Sequence, residues 1–195
     1  MKPYSESCYQ NQDPILDIID PIFKNCKTVL EIGSGTGQHA VYFAKKMPHL
    51  TWQCSDQAQH HAGINAWLTE AKLSNVYSPL LLEVSQPWPE LSVDAVFSAN
   101  TAHIMHHHQV LNLFEGGANY LSAGGHFILY GPFNYQGQYT SASNARFDEW
   151  LKSRDSQSAI RNFEELNQWA TKLGLILQND YAMPANNRIL HWQKA

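Results

Sequence analysis

Glu31, Gly33, Gly35 and Gly37 fall two residues apart in the run Val29-Leu-Glu-Ile-Gly-Ser-Gly-Thr-Gly-Gln-His-Ala40. The spacing is that of a nucleoside-binding turn. Glycine has no Cβ, so the backbone can turn sharply and approach a ligand closely. Such a turn is expected to leave the first amides of the following helix facing the site, with Ser34 between the glycines. Glu31 adds a fixed negative charge at the same mouth, which suits a nucleoside with a cationic end. S-adenosylmethionine, a sulfonium, is the candidate cofactor. Asp56 and Glu83 extend the pattern: the first could accept hydrogen bonds from ribose hydroxyls, the second from an adenine amino group. All three acids fall at the carboxyl ends of expected parallel strands, where open α/β sheets bind their ligands.

A dinucleotide reading competes for these residues. Gly35, Gly37 and Ala40 satisfy G-x-G-x-x-G/A, and Asp56 lies 56 − 35 = 21 residues beyond Gly35, where a ribose-binding acid is expected. Read from Gly33, the same pattern fails at Gln38. An NAD(P)-type oxidoreductase is therefore the alternative enzyme, and a catalytically silent cofactor-binding relative the alternative without chemistry.

Methyl transfer is an in-line displacement, in which a protein mainly aligns nucleophile and methyl and can remove a proton. Acceptor-side residues are expected after the fourth strand, after the fifth, and in the last turn. Asn100 and His103 fall in the first of these places, and His103 has an unperturbed pKa near neutrality. Asn100 is a positioner of cofactor or substrate, since amides do not titrate. Tyr130, Phe133 and Asn186 are candidate substrate contacts, with Tyr135, Tyr139 and Arg146 available to complete a wall. His106-His-His108 invites a metal reading, but consecutive helical residues diverge, and no metal is expected.

These residues need an alternating α/β frame to hold them. A helical stripe over Asp13–Phe23 opens on Asp13 and Pro14. Strands are expected over Thr28–Ile32, Thr51–Cys54, within Val76–Val84, and over Val93–Ala99 and His126–Tyr130. Helices are expected over Gly37–Lys46, His61–Leu73, His107–Leu121 and Ala145–Leu151. Gly116 and Gly117 inside a helix each cost about 1 kcal/mol against Ala, so the pair points to close packing. Asn162-Phe-Glu-Glu165 resembles a capping box, and its helix stops at Gly174. Leu175–Ala182 and Arg188–Gln193, joined by the turn Met183-Pro-Ala-Asn-Asn187, must pair antiparallel.

The 195 residues, 44% hydrophobic and 15% charged, fit one domain: an N-terminal helical cap over 1–27 and a Rossmann-like core over 28–195. The net charge of −4 argues against a broad nucleic-acid surface. Cys8, Cys26 and Cys54 are odd in number and far apart, fitting neither a disulfide framework nor a zinc knuckle. Residues 1–14 are polar, and no run approaches the roughly 18 apolar residues of a membrane span. A cytoplasmic setting is expected; the oligomeric state is left open.

With the glycine run placed, the chain resembles a bacterial family of class I methyltransferases of undefined function, related to animal methyltransferase-like protein 26. The resemblance covers nearly the whole chain. It is carried by Ser34-Gly-Thr-Gly-Gln-His-Ala40, Asn100-Thr-Ala-His-Ile104, Leu129-Tyr-Gly-Pro-Phe133, Ser143-Asn144, Phe147-Asp148 and Met183-Pro-Ala-Asn-Asn187. It implies a seven-stranded, mostly parallel sheet with a C-terminal antiparallel hairpin and helices on both faces. It also implies S-adenosylmethionine as cofactor but supplies no substrate; the expected methyl acceptor is a small molecule, with a protein side chain as the alternative. Relatives usually carry Asp where this chain has Glu83, often Pro where it has Cys54, and often an Arg before Asn11.

Overall fold

In a computed structural model describing residues 2–195, the alternating pattern becomes a seven-stranded sheet; of the expected domain, only Met1 lies outside the described residues. The strands are β1 (Thr28–Ile32), β2 (Thr51–Asp56), β3 (Val76–Leu81), β4 (Val93–Ala99), β5 (Leu121–Gly131), β8 (Leu175–Met183) and β9 (Asn187–Lys194), in the order β3-β2-β1-β4-β5-β9-β8. Pairs β1–β2, β1–β4 and β2–β3 are parallel, whereas β5–β9 and β8–β9 are antiparallel. A short parallel pair, β6 (Phe133–Asn134) with β7 (Arg161–Asn162), stands apart. The chain falls into two compact units, one ending at Ser98 and the other Ala99–Ala195.

The first unit carries α1 (Glu6–Phe23), α2 (Gln38–Lys46) and α3 (Ala58–Ala71). Phe43 on α2 meets Trp52 of β2 and Phe97 of β4 at ring-centroid distances of 5.5 and 5.6 Å, and Phe23 of α1 meets Trp52 at 6.5 Å. Fully burying such a side chain is worth about 1.5–3 kcal/mol, so this cluster anchors the unit. Helix α1 starts seven residues before Asp13. The Ser5 hydroxyl accepts from the Cys8 amide at 3.4 Å, and this cap, not Asp13 with Pro14, opens the helix. Pro14 lies inside it, and Ile15, Ile19 and Phe23 form its buried stripe.

Two buried polar residues at the start of α2 hold α1. Gln38 Oε1 accepts from the Ser5 amide at 2.5 Å while Gln38 Nε2 donates to the Ser5 carbonyl at 3.2 Å. His39 Nε2 donates to Asn11 Oδ1 at 2.7 Å. β2 runs two residues beyond its expected end, which makes Asp56 its last residue, and α3 begins three residues early, at Ala58.

The second unit carries α4 (His107–Tyr120), α5 (Ala142–Arg154) and α6 (Phe163–Lys172). The glycine pair in α4 has the expected cause at Gly117: a Cβ there would sit 2.3 Å from Phe127 Cε2 of β5. Phe127 stacks on Phe114 at 5.0 Å, and Trp192 of β9 meets Phe114 edge-on at 5.4 Å. β5 begins at Leu121, five residues before His126, and Gly124 adopts φ 84° within it. Helix α5 is longer than Ala145–Leu151 at both ends; Ser141 caps it, accepting from the Asn144 amide at 3.1 Å.

The expected capping box at Asn162 does not form. Asn162 pairs in β7 opposite Asn134, its side chain makes no cap bond, and its Oδ1 is buried without a partner among the described residues. The following glutamates are drawn elsewhere: Glu164 accepts from the Gln136 amide and Glu165 from the His107 ring. A reciprocal box stands instead at α4, where Gln109 Oε1 accepts from the His106 amide at 2.8 Å.

Candidate functional site

Gly33, Gly35 and Gly37 all have left-handed backbone, with φ of 75°, 57° and 89°. An L-residue with a side chain would be strained at each. A Cβ on Gly37 would also press to 3.0 Å from the Ile64 Cα of α3. The loop amides, however, are not free as the sequence led one to expect. Gly33 and Ser34 both donate to the Ser55 carbonyl at 3.0 Å, and Gly37 donates to the Ser34 carbonyl at 2.8 Å. The Gly35 amide donates to Asp56 Oδ2 at 2.7 Å. The end of β2 thus templates the loop, and the Ser34 hydroxyl returns the contact by accepting from the Ser55 amide at 3.2 Å.

Asp56 uses its second oxygen to accept from the Gln57 amide at 2.7 Å. Its backbone carbonyl accepts from Leu82, one residue before Glu83. Glu83 lies two residues past β3, exposed, with no side-chain hydrogen bond among the described residues. The loop, Asp56 and the Glu83 segment are therefore tied through β2.

Glu31 occupies a different setting from that of a mouth-lining acid. It is 2% exposed and accepts from the Trp52 indole at 3.2 Å, with Ser34 as a second donor. Burial dominates: it lifts the carboxyl to about 7, against the lowering effect of these two donors and with a further upward push from Asp56. No cation pairs with it among the described residues. A buried carboxylate poised in this way favours a positively charged ligand group, which would restore the ionised form.

On the second unit, Asn100 follows β4 with φ 59°, a left-handed conformation that Asn tolerates better than most residues. Its amide donates to the Tyr130 carbonyl at 2.8 Å, which ties this segment to the end of β5. Its side chain makes no hydrogen bond among the described residues. His103 is 6% exposed, lies edge-on to Phe147 of α5 at 5.2 Å and has no hydrogen-bond partner among the described residues. Burial, helped by the Arg161 charge, lowers it to about 4. His103 is therefore neutral, with an acceptor nitrogen at ordinary pH.

Helix α5 gathers the other acceptor-side segments. Asp148 accepts from Tyr139, in the loop after β6, at 2.7 Å and from the Ile160 amide at 2.7 Å, and pairs with Lys152 at 2.5 Å. Asn144 donates to the Asn186 carbonyl at 3.1 Å, and Asn186 Nδ2 donates to Ser143 at 3.2 Å. Three segments separate in sequence, around 101–105, 139 and 184–186, thus meet one helix. Phe133 is 1% exposed and Tyr130 is also buried, so both are packed residues in this state. Within the histidine triplet, His106 precedes α4 and pairs with Asp155 at 2.8 Å, His107 pairs with Glu165 at 2.9 Å, and the His106 and His108 rings lie edge-on at 6.0 Å. Cys8, Cys26 and Cys54 are free thiols, and no described helix is long and apolar enough to cross a membrane.

Comparison with known proteins agrees with this frame. The model of the family described as "Protein of unknown function (DUF938)" matches residues 2–194. An O-methyltransferase family protein from Burkholderia thailandensis superposes with a TM-score of 0.86 at 14% identity, over 97% of this chain and 58% of that one. The mitomycin 7-O-methyltransferase MmcR gives 0.85 at 17% identity, over 97% and 54%. Human N-acetylserotonin methyltransferase in complex with SAM gives 0.78 at 13% identity, over 97% and 53%. The fold is that of class I methyltransferases. The chain spans little more than half the length of these proteins.

Proposed function

The chain belongs to the DUF938 family, and from its strand-end acids we propose that it is an S-adenosylmethionine-dependent methyltransferase with a small-molecule acceptor. One observation carries the proposal. The Gly33, Ser34 and Gly35 amides are spent on Ser55 and Asp56, and the carboxyl groups tied to the loop are those of Glu31, through Ser34, and Asp56, through Gly35. A pyrophosphate needs free amide donors at such a loop. A ligand with an ammonium, ribose hydroxyls and an adenine amino group needs acceptors. This chain offers acceptors.

In this proposal Glu31 takes the ammonium, Asp56 the ribose hydroxyls and Glu83 the adenine amino group. Ser34 and the glycines keep the loop clear of side chains. The cofactor supplies a methyl group on a sulfonium, a good leaving group. Asn100 orients the acceptor with its free side-chain amide, and His103 accepts a hydrogen bond from the acceptor's X–H group. A weakly basic imidazole takes up that proton only as the new bond to carbon forms. Asn186 bounds the acceptor, and Tyr130 and Phe133 support that wall as packed residues behind it. The free thiols accord with a cytoplasmic setting.

Thermal melting with each ligand tests the assignment. A ligand at one hundred times its dissociation constant adds about 2.7 kcal/mol, roughly 5 to 10 °C for a domain of this size. S-adenosylhomocysteine should raise the melting temperature by this much, and NAD should leave it unchanged. A shift with NAD alone would reverse the assignment.

A further inference from the structure

Arg161 is a cation withdrawn from water without an anion to meet it. The residue is 8% exposed, and no carboxylate pairs with it among the described residues. Glu165 and Asp148 act on it only at a distance. Its guanidinium donates instead to backbone carbonyls: Ala102 at 3.2 Å, Gln157 at 2.9 Å, and Met105. A buried charge without a counter-ion is costly, so what it grips matters. It grips the turn that carries His103, one residue before it and two after.

The rest of the segment around Arg161 continues the same grip. The Ser158 hydroxyl donates to the Ile104 carbonyl at 2.7 Å, and Asp155 takes the His106 ring at 2.8 Å. The segment is itself fixed, by the Ile160 amide on Asp148 and by the pairing of Arg161 with Phe133 in the β6–β7 register. The stretch 155–161 therefore moulds 102–106 almost residue by residue. A planar guanidinium can span two carbonyls three residues apart, whereas an ammonium is a point donor.

We propose that Arg161 is a positioning residue for His103, holding the turn so that the imidazole stays against Phe147 with its nitrogens free for the acceptor. The proposal rests on the methyl-transfer reading of His103. Among the described residues Arg161 is also the one charged group that acts on the His103 ring.

Histidine ring resonances report both parts of this proposal without any acceptor in hand. The His103 signal is assigned by its loss in His103→Gln and followed from about pH 4.5 to 8, the range in which an exposed histidine titrates. In the wild-type protein it should remain in its neutral form and carry the ring-current displacement of Phe147. In Arg161→Met the titration midpoint should rise by about one pH unit or more, a tenfold gain in proton affinity, and the displacement should collapse. In Arg161→Lys the midpoint should stay near the wild-type value while the displacement collapses. A native Arg161→Met protein with an unchanged His103 signal would overturn the proposal. Should that variant not fold, Arg161→Lys decides, since a retained displacement there overturns it equally. S-adenosylhomocysteine melting of the same wild-type sample reports separately on the methyltransferase reading, whose failure would leave the His103 spectra as they are.

Discussion

Replacing Glu31 with Gln should make the protein more stable at alkaline pH while weakening its hold on the cofactor. The carboxyl titrates at about 7 in the folded chain against 4.5 when exposed. The folded state therefore holds this proton more tightly than the unfolded state does. The resulting stabilisation is complete below about 4.5, declines as pH rises, and is gone above about 7. The shift of roughly 2.5 units corresponds to about 3 kcal/mol at 1.36 kcal/mol per unit, or roughly 7 to 14 °C of melting temperature. The side-chain amide of Glu31→Gln would keep an acceptor for the Trp52 indole and carry no charge. Burial holds His39, His103 and His191 neutral down to about 4. Their contribution has the opposite sign: present above about 6.5 and lost as pH falls. It is common to both proteins, so the difference between variant and wild-type melting curves isolates Glu31. That difference should grow in favour of Glu31→Gln between about pH 4.5 and 8. A flat difference across this range would refute the argument that Glu31 is buried as an unpaired acid. With S-adenosylhomocysteine present at about pH 8, the wild-type protein should gain more than the variant, because the ligand ammonium pairs with the restored carboxylate.

Gly117→Ala drives a methyl into the Phe127 ring, where the Cβ would lie at 2.3 Å. Overpacking of this kind costs typically about 1–3 kcal/mol, to be read as a lowered denaturant midpoint. Asp148→Asn should release Tyr139 and weaken the tie to Ile160. Hydrogen exchange should quicken in 135–141 and 155–161 and stay unchanged in β1 and β2, whereas uniform quickening would mean general destabilisation.

Most of the sheet could be read from the chain, because the strands are apolar runs bounded by Gly, Pro and acids, and the last two are joined too closely to pair in parallel. The glycine loop could be read as well, since only glycine is comfortable at all three of its backbone angles. Its hydrogen bonds could not. The Ser55 carbonyl and the Asp56 carboxylate consume amides that the motif presents as free, a fact set by the register of β1 against β2. The early start of α1 rests on a local cap at Ser5 that the Asp13-Pro14 signal outweighed, and on tertiary contacts no sequence pattern shows: Gln38 and His39 belong to the glycine segment by sequence but serve Ser5 and Asn11 in space. Arg161 gave no sign at all. An isolated Arg between Ile160 and Asn162 reads as a surface charge, and only the fold brings three carbonyls to it.

The bonds from the end of β2 into the glycine loop mean that these two stretches form one mechanical part. Ser55 receives two amides, returns its hydroxyl to the Glu31 carbonyl at 2.7 Å, and hands the third amide to its neighbour Asp56. A graft that imported residues 33–37 from another protein, without the matching pair at 55–56, would arrive without its jig. The unit of exchange in any redesign of nucleoside preference is therefore discontinuous, drawn from two neighbouring strand tips.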